Sequence, residues 1–233
     1  MLPRMECELD SEPVETICEL LERMRQIESC LPRQDGVAAF NHVYRRVTAE
    51  VLKAIHDGAF ENREFVTQLD VQFGNLYLAA LDGGAEQPVP RAWQELLERR
   101  SDPHISRLQF ALAGMNAHIN RDLPVAVVST CQKLASDLDT PGWHTDYARV
   151  DGILEQLEPT IRAELLNELP PEQRADVADL VADWTIVGAR RAAWTNARVL
   201  WRIRSEPGLR DDYLGMLDWF VARVGRGLLR PLV

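Results

Sequence analysis

Apolar residues recur at helical spacing along nearly the whole chain, and this periodicity restricts the fold more than any other feature of the sequence. Between Val14 and Ile27, for example, apolar side chains stand three or four positions apart, which places them on one face of an α-helix. No segment alternates apolar and polar residues as a half-buried β-strand does. Because short loops join the predicted helices, neighbouring helices are expected to run antiparallel. The sequence therefore predicts an all-α fold, a single-domain multi-helix bundle with mostly antiparallel helices.

Cap, glycine and proline residues set the bounds of the predicted helices. Ser11 and Asp35 stand where helix caps belong, and Pro32 and Gly58 end the first two helices. Pro124 either begins a helix of its own or kinks one continuous helix. Helices are predicted at about 11–31, 35–57, 62–81, 91–100, 104–122, 124–135, 146–169 (interrupted near Pro159), 171–204 and 209–229.

Length and charge limit the class of protein. The 233 residues suffice for one all-helical domain over residues 1–233, with residues 1–10 as a flexible N-terminal segment. A net charge of −10 disfavours nucleic acid and anionic membrane surfaces as partners, since both attract basic patches. No apolar run approaches the roughly 20 residues of a membrane span. The acidic N-terminal residues also lack the apolar core of a signal peptide. The sequence predicts neither a nucleic-acid nor a membrane partner.

The four cysteines, Cys7, Cys18, Cys30 and Cys131, are predicted to be reduced thiols. None belongs to a Cys-x-x-Cys pair. Cys18 and Cys30 fall in the same predicted helix, which holds them about 18 Å apart at a rise of about 1.5 Å per residue. A disulfide cannot span that distance. Reduced thiols are typical of cytoplasmic proteins, so the predicted location is cytoplasmic.

One segment, residues 113–124 with the sequence AGMNAHINRDLP, brings polar residues into an otherwise apolar helix. His118 and Asp122 stand four positions apart, so a helix presents both on one face. That face also carries Leu108, Leu112 and Met115, which predicts that it is buried. Ionisable side chains on a buried face need partners, and such groups are frequent where chemistry takes place.

Two further ionisable residues fall on apolar faces of other predicted helices. Asp70 shares a helical stripe with Phe73 and Tyr77. Arg190 follows the same track as Trp194 and is expected to pair with a carboxylate. The candidate carboxylates are Asp70, Asp122 and Asp183. A structural network that fixes the register of the helices is the alternative interpretation of these residues.

His118 and Asp122 together predict acid–base chemistry. A histidine titrates near neutral pH, and a carboxylate bound to one ring nitrogen raises the basicity of the other. Neither a G-x-S-x-G nucleophile motif nor a glycine-rich phosphate loop occurs. The leading hypothesis is a small-molecule enzyme of biosynthesis, either a cyclase, an isomerase or a hydrolase. Its candidate catalytic residues are His118, Asp122 and Asp70, and its candidate substrate-binding residues are Asn116, Asn120, Arg190, Tyr77 and Trp194.

Two other functions stay open. His118 and Asp122 could bind one metal ion with Asp70 as the third ligand, as in a metal-dependent hydrolase. Neither an H-E-x-x-H motif nor a paired E-x-x-H motif supports such a site, so no cofactor is predicted. The other alternative is a non-catalytic ligand-binding or interaction protein, whose buried polar network is structural. The acid–base enzyme, the metal-dependent hydrolase and the ligand-binding protein each imply a small-molecule substrate or ligand as partner.

The segment GMNAHINRDLP at 114–124 resembles the signature of an uncharacterised bacterial family, which is frequent in actinobacteria and is classed as a domain of unknown function. The resemblance extends over most of the chain. It includes the DGVAAF segment at 35–40, Asp70 with Phe73, the PRAW segment at 90–93, and Arg190 with Trp194. It implies a bacterial protein in which these polar positions form one recurring set, and it implies no particular activity.

Overall fold

The computed structural model describes residues 12–82, 88–172, 174 and 185–231. Every regular element within these ranges is helical, which confirms the predicted all-α bundle. The α-helices are α1 (Ile17–Cys30), α2 (Gly36–His56), α3 (Arg63–Leu81), α4 (Arg91–Arg99), α5 (Arg107–Ala117), α6 (Leu123–Lys133), α7 (Trp143–Asn167), α8 (Ile186–Arg202) and α9 (Pro207–Leu228). The expected flexible segment 1–10 and the expected cap Ser11 lie outside the described residues, as do 173 and 175–184 of the predicted helix 171–204.

α1 begins at Ile17, after the predicted start at Ser11. Thr16 is its N-cap. The Thr16 hydroxyl accepts a hydrogen bond from the backbone N–H of Glu19, and the Glu19 carboxylate accepts one from the backbone N–H of Thr16, both at 3.1 Å. This reciprocal capping box satisfies two of the N–H groups that the start of a helix leaves unpaired.

α2 and α5 pack closely along each other in the centre of the bundle, and two glycines permit this approach. A Cβ atom on Gly36 would lie 2.5 Å from a ring atom of Phe110, and one on Gly114 would lie 2.5 Å from a ring atom of Phe40. Side chains at these positions would force the rings to move, which is costly in a close-packed core. The glycines therefore hold Phe40 against the end of α5 that leads to His118.

A π-helical turn, His118–Asp122, joins α5 to α6 without a break in the helix. The backbone N–H of Leu123 donates to the carbonyl of His118, five residues earlier. Pro124 supplies the physical reason, because it has no N–H to donate and its ring clashes with the carbonyl four residues before it in an α-helix. Of the two arrangements expected around Pro124, the continuous helix is the one that forms. π-turns of this kind are frequent at functional sites.

α7 differs from its prediction at two points. It begins at Trp143, earlier than expected, directly after Gly142. Gly142 has a φ of 83°, which glycine adopts without strain. Pro159 lies within the helix and does not interrupt it. The proline removes one backbone hydrogen bond, but α7 continues to Asn167 and packs against α2 and α8.

Two findings bear on the environment of the chain. In the part of the chain that the structure describes, no helix is long and apolar enough to cross a membrane. Cys30 is disulfide-bonded, whereas Cys18 and Cys131 are free thiols. The prediction of four reduced cysteines is therefore wrong for Cys30. The prediction considered only a bond between Cys18 and Cys30, which the rise of the helix excludes.

Candidate functional site

The π-turn places His118 among aromatic rings in the centre of the bundle, with 1% of the residue exposed. Its imidazole stacks on Phe73 of α3, with ring centroids 3.5 Å apart and an angle of 4° between the planes. Tyr44 of α2 meets the same ring edge-on, with centroids 4.5 Å apart. These contacts fix the plane of the imidazole.

Asp122 binds the imidazole from one turn further along. Its Oδ2 lies 3.0 Å from Nδ1 of His118 and accepts a hydrogen bond of 2.8 Å from Nε1 of Trp93. Its Oδ1 accepts a hydrogen bond of 2.9 Å from Arg121. Burial opposes ionisation of Asp122, but the hydrogen bond from His118 and the charge of Arg121 outweigh it and lower the pKa of Asp122. Asp122 is therefore an anion that accepts a hydrogen bond from Nδ1–H, which leaves Nε2 as the unprotonated nitrogen.

Nε2 of His118 is buried and has no hydrogen-bond partner among the described residues. Burial lowers the pKa of His118, and the hydrogen bond and charge of Asp122 only partly offset this effect. The imidazole is thus neutral at physiological pH, with the lone pair of Nε2 unused. An unsatisfied buried polar atom costs about 1–3 kcal/mol, so its presence calls for a reason beyond packing.

Asp70 carries a second unused atom. Its Oδ2 is buried and lacks a hydrogen-bond partner within residues 12–82, 88–172 and 185–231. Burial raises the pKa of Asp70 to about 7, against the opposing influence of the Arg190 charge. Near neutral pH this carboxyl group therefore exists in both forms, and the protonated form can donate a proton.

His118 and Asp70 line the same cavity, which has a volume of about 80 Å³ and is partly open. A space of this size holds several water molecules or part of a small ligand. Apart from His118, Asp70, Tyr44 and Arg190, its lining is apolar: Phe40, Val43, Val47, Val51, Val66, Leu69, Phe73, Met115, Ile119, Leu123, Val150, Leu154 and Ile186. A mostly apolar pocket with a few polar groups is typical of small-molecule sites.

Arg190 reaches this cavity, but its partner differs from the expected ones. Its Nε donates to Asp151 of α7 at 2.6 Å, and its Nη2 donates to the carbonyl of Tyr147 at 2.6 Å. The guanidinium also lies 4.3 Å from the centre of the Tyr147 ring. The predicted pairing with Asp70 or Asp122 is therefore wrong, and Asp183 lies outside the described residues. Asp151 stands four residues after Tyr147, so both meet Arg190 from one face of α7.

Asn116 and Asn120 lie on the other side of the helix from His118. Asn116 donates to the carbonyl of Val221 at 2.9 Å, and Asn120 donates to the side-chain oxygen of Asn116 at 3.2 Å. Both border a surface groove against α9. A residue two positions before or after His118 points about 200° away from it on a helix. The structure therefore does not bring these two asparagines to the His118 cavity.

Tyr77 and Trp194 lie near the cavity but do not line it. Tyr77 is fully buried, its hydroxyl donates to the side chain of Asn41 at 3.1 Å, and its ring centre is 6.0 Å from that of His118. Trp194 packs on Tyr147, with ring centroids 4.7 Å apart. Tyr77 therefore packs near His118, and Trp194 packs on Tyr147, which binds Arg190. Neither side chain is placed to touch a ligand in the cavity.

Sequence reasoning missed three residues of the site. Trp93 binds Asp122, Phe73 stacks on His118, and Tyr44 lines the cavity. None of the three carries a charge near neutral pH, so the pattern of ionisable residues on apolar helix faces did not indicate them. Burial and the nearby charge of Asp70 raise the pKa of Tyr44 well above its usual value. Tyr44 therefore keeps its hydroxyl proton and can act as a hydrogen-bond donor.

The three expected metal ligands do not form a metal site. In the described part of the chain, no group of three or more His, Cys, Asp or Glu side chains is arranged to hold an ion. The oxygens of Asp122 are already engaged by His118, Trp93 and Arg121. The donor set present here thus suits proton transfer better than metal binding.

The chain belongs to a family of unknown function, DUF5995, which matches residues 17–231. This confirms that the chain belongs to an uncharacterised family of unknown function, as the resemblance implied. No curated protein and no solved structure is similar enough to the chain to match it.

Proposed function

We propose that this member of the DUF5995 family is a small-molecule enzyme that transfers protons within a neutral, mostly apolar substrate. One observation carries the proposal: two buried, unpaired polar atoms, Nε2 of His118 and Oδ2 of Asp70, belong to residues that line one cavity. A base and an acid held in one apolar cavity can act on opposite ends of the same substrate.

The residues divide the chemistry between them. Nε2 of His118 takes a proton from a carbon next to a substrate carbonyl, and Asp122 stabilises the imidazolium that results. The electrons of the broken C–H bond form a new C=C bond. The carbonyl oxygen meanwhile accepts the proton of Asp70, which gives an enol. In a substrate with a C=C bond between the second and third carbons from the carbonyl, this intermediate is a dienol. Return of the His118 proton to the third carbon, and of the enol proton to Asp70, moves the C=C bond into conjugation with the carbonyl and completes an isomerisation.

Among the three predicted reaction types, the lining of the cavity favours isomerisation. No serine, cysteine or threonine belongs to the lining found in the described residues, so the hydroxyl and thiol nucleophiles of serine, threonine and cysteine hydrolases are not at hand. Proton transfer needs only His118 and Asp70. The apolar walls also protect an enol from water, which is one purpose of a closed site.

Exchange of carbon-bound hydrogen for deuterium tests this proposal without knowledge of the natural substrate. The protein is incubated with butanone in D₂O, and loss of the signal of hydrogens next to the carbonyl is followed by NMR. We expect exchange above the buffer rate, and a loss of about 100-fold or more in His118→Gln, because general base catalysis contributes about 10²–10⁴-fold.

His104→Gln is the matched control, since His104 is exposed and distant from the cavity. It should exchange hydrogen like the wild-type protein. Circular dichroism melts of all three proteins establish that they are folded. Exchange at the buffer rate in the wild-type protein, or equal exchange in wild type and His118→Gln, would contradict the proposal.

Non-catalytic ligand binding is the second candidate, and the mostly apolar lining of the cavity favours it. The exchange experiment separates the two functions. A binding protein would take up butanone without accelerating exchange, and His118→Gln would then change affinity alone.

The predicted cytoplasmic location, bacterial origin and biosynthetic role stay predictions. A disulfide bond at Cys30 is unusual for a cytoplasmic protein. The redox state of Cys30 in intact cells that naturally contain the protein, trapped by thiol alkylation before the cells are opened, tests the location. A reduced Cys30 there would support the cytoplasm, and a bonded Cys30 would contradict it.

A further inference from the structure

A second cavity lies directly beside the His118 cavity. Its volume is about 40 Å³. The two cavities share five lining residues, Val43, Val47, Met115, Leu154 and Ile186. The further residues that line the second cavity are Leu108, Leu112, Leu157, Glu158, Ile161, Arg162 and Leu165. The shared side chains form the boundary between the two spaces, which are therefore direct neighbours in the bundle.

We propose that the site takes a neutral amphiphile, whose carbonyl head lies at His118 and Asp70 and whose hydrocarbon tail extends past Met115 into the second cavity. The role of the head rests on the proposed function. The placement of the tail does not depend on it.

The lining of the second cavity requires a tail without polar groups. Its only polar members in the described residues are Glu158 and Arg162, which form an ion pair with each other. Both side chains are 32% exposed, so the pair marks the surface end of the second cavity. Between this end and His118, a polar ligand atom would find no hydrogen-bond partner, and burying it unpaired would be costly. Hydrocarbon incurs no such cost.

Met115 is the residue that best allows a tail to pass. It borders both cavities and is half-buried. A methionine side chain is unbranched and flexible, so it can change rotamer to open the space between them. The branched neighbours Val43, Val47 and Ile186 have fewer rotamers available.

The charges around the head favour a neutral group over a carboxylate. His118 is neutral because burial lowers its pKa, and Asp70 contributes a carboxyl group that carries either no charge or a negative one. Arg190 is the cation at the cavity, and Asp151 already neutralises it. A ligand carboxylate would therefore lack a free cation to pair with.

Binding of linear methyl ketones, from butanone to decanone, tests the tail site directly. Isothermal titration calorimetry gives the Kd of each ketone. For the wild-type protein we expect affinity to rise roughly fourfold per added methylene until the second cavity is filled, and then to level off. Equal affinity along the series, or no binding of any ketone, would overturn the proposal.

Leu157→Phe fills the second cavity, and Leu166→Phe is its matched control on the same helix. Both leucines are half-buried and pack on the core, but only Leu157 lines the cavity. Leu157→Phe should lose the gain from longer tails and still bind butanone, whereas Leu166→Phe should keep the gain. If Leu157→Phe keeps it too, the tail does not lie in the second cavity. If this variant fails to fold, the limit of the wild-type series still tests the proposal, since affinity that keeps rising beyond the length that the two cavities can hold would overturn it.

Two further measurements separate the parts of the proposal. Decanoate should bind at least about tenfold more weakly than decanone, since its charge would be unpaired; equal binding would overturn the neutral head. Binding that depends on tail length without any hydrogen exchange would leave the amphiphile site intact and refute the proposed catalysis. His118→Gln should keep the dependence on tail length.

Discussion

Two buried polar networks in this bundle use their hydrogen-bonding atoms in opposite ways. At the start of α2, Asp35 accepts from the backbone N–H of Val37 at 2.8 Å and from Arg100 at 2.7 Å, so both of its oxygens are engaged. In the π-turn, Asp122 is equally engaged, but its partner His118 keeps Nε2 unpaired. The first network is complete within the described residues, whereas the second leaves one ring nitrogen without a hydrogen-bond partner.

This difference teaches how a site can be recognised among buried charges. Burial alone does not distinguish the two networks, since Asp35 and Asp122 are 7% and 0% exposed. Unsatisfied atoms do distinguish the two networks, since the one around Asp122 includes Nε2 of His118 and the one around Asp35 has none among the described residues. Each unsatisfied buried atom lowers the stability of the fold. Three residues that line one cavity, His118, Asp70 and Tyr44, carry such atoms, and this coincidence is harder to explain by structure alone than any one of them would be.

Removal of Asp35 should break the complete network with the largest effect on stability. Asp35→Ala leaves Arg100 buried without its partner and deletes the N-cap of α2, which together should lower the free energy of unfolding by about 4–6 kcal/mol. Urea unfolding measures the loss. Asp139→Ala removes one member of the exposed pair with Arg198 and should cost less than about 1 kcal/mol. Similar losses of unfolding free energy in Asp35→Ala and Asp139→Ala would show that the buried network of Asp35 is no more important for stability than an exposed ion pair.

Asp70 should make the incomplete network sensitive to pH. Its pKa is 3.8 without the influence of the fold and about 7 within it. Between about pH 4 and pH 7 the unfolded chain ionises while the folded protein does not, so the free energy of unfolding falls as pH rises through this window. The fall should be on the order of 3 kcal/mol, allowing for the partial exposure of Asp70.

Asp70→Asn tests this, since it removes the titrating group. Urea unfolding at pH 4, 5.5 and 7.5 should show the variant gaining stability relative to the wild-type protein as pH rises. Asp57→Asn, at an exposed position after α2, should follow the wild-type profile. Parallel profiles for wild type and Asp70→Asn would show that Asp70 ionises normally in the folded protein.

Trp93→Phe should have the smallest effect of the three. It removes the hydrogen bond of 2.8 Å to Asp122 but keeps the bonds from His118 and Arg121. We expect a loss of about 1–2 kcal/mol in unfolding free energy and less than about tenfold in hydrogen exchange, because the tautomer of His118 is still fixed. Trp201→Phe, outside the site, is the control. A loss of exchange as large as in His118→Gln would make Trp93 a positioning residue of equal weight.

The helices were predictable because their apolar spacing and caps are local signals, and His118 with Asp122 followed from the same geometry. The spacing also placed Asp70 on the same helix face as Phe73, and both residues line the cavity. The site beyond these residues depends on contacts between helices. The bond from Trp93 to Asp122 spans 29 residues of chain, and the one from Arg190 to Asp151 spans 39. Periodicity within one helix carries no information about such pairs.

The π-turn was signalled only indirectly. Pro124 predicted either a new helix or a kink in a continuous one. It did not predict that the turn before it would contain one extra residue. The two asparagines were grouped with His118 because they are near it in sequence. On a helix, residues two positions apart face opposite sides, and this distinction was available from the sequence alone.

The π-turn makes the site depend on the number of residues as well as on their identity. An α-helix advances by about 100° per residue, so the extra residue in His118–Asp122 sets the rotation of α6 relative to α5. Val127 and Cys131, both 0% exposed, point into the core because of that rotation. The turn that aligns His118 with Asp122 therefore also orients α6. Deletion of one residue here would disturb both the His118–Asp122 contact and the packing of α6.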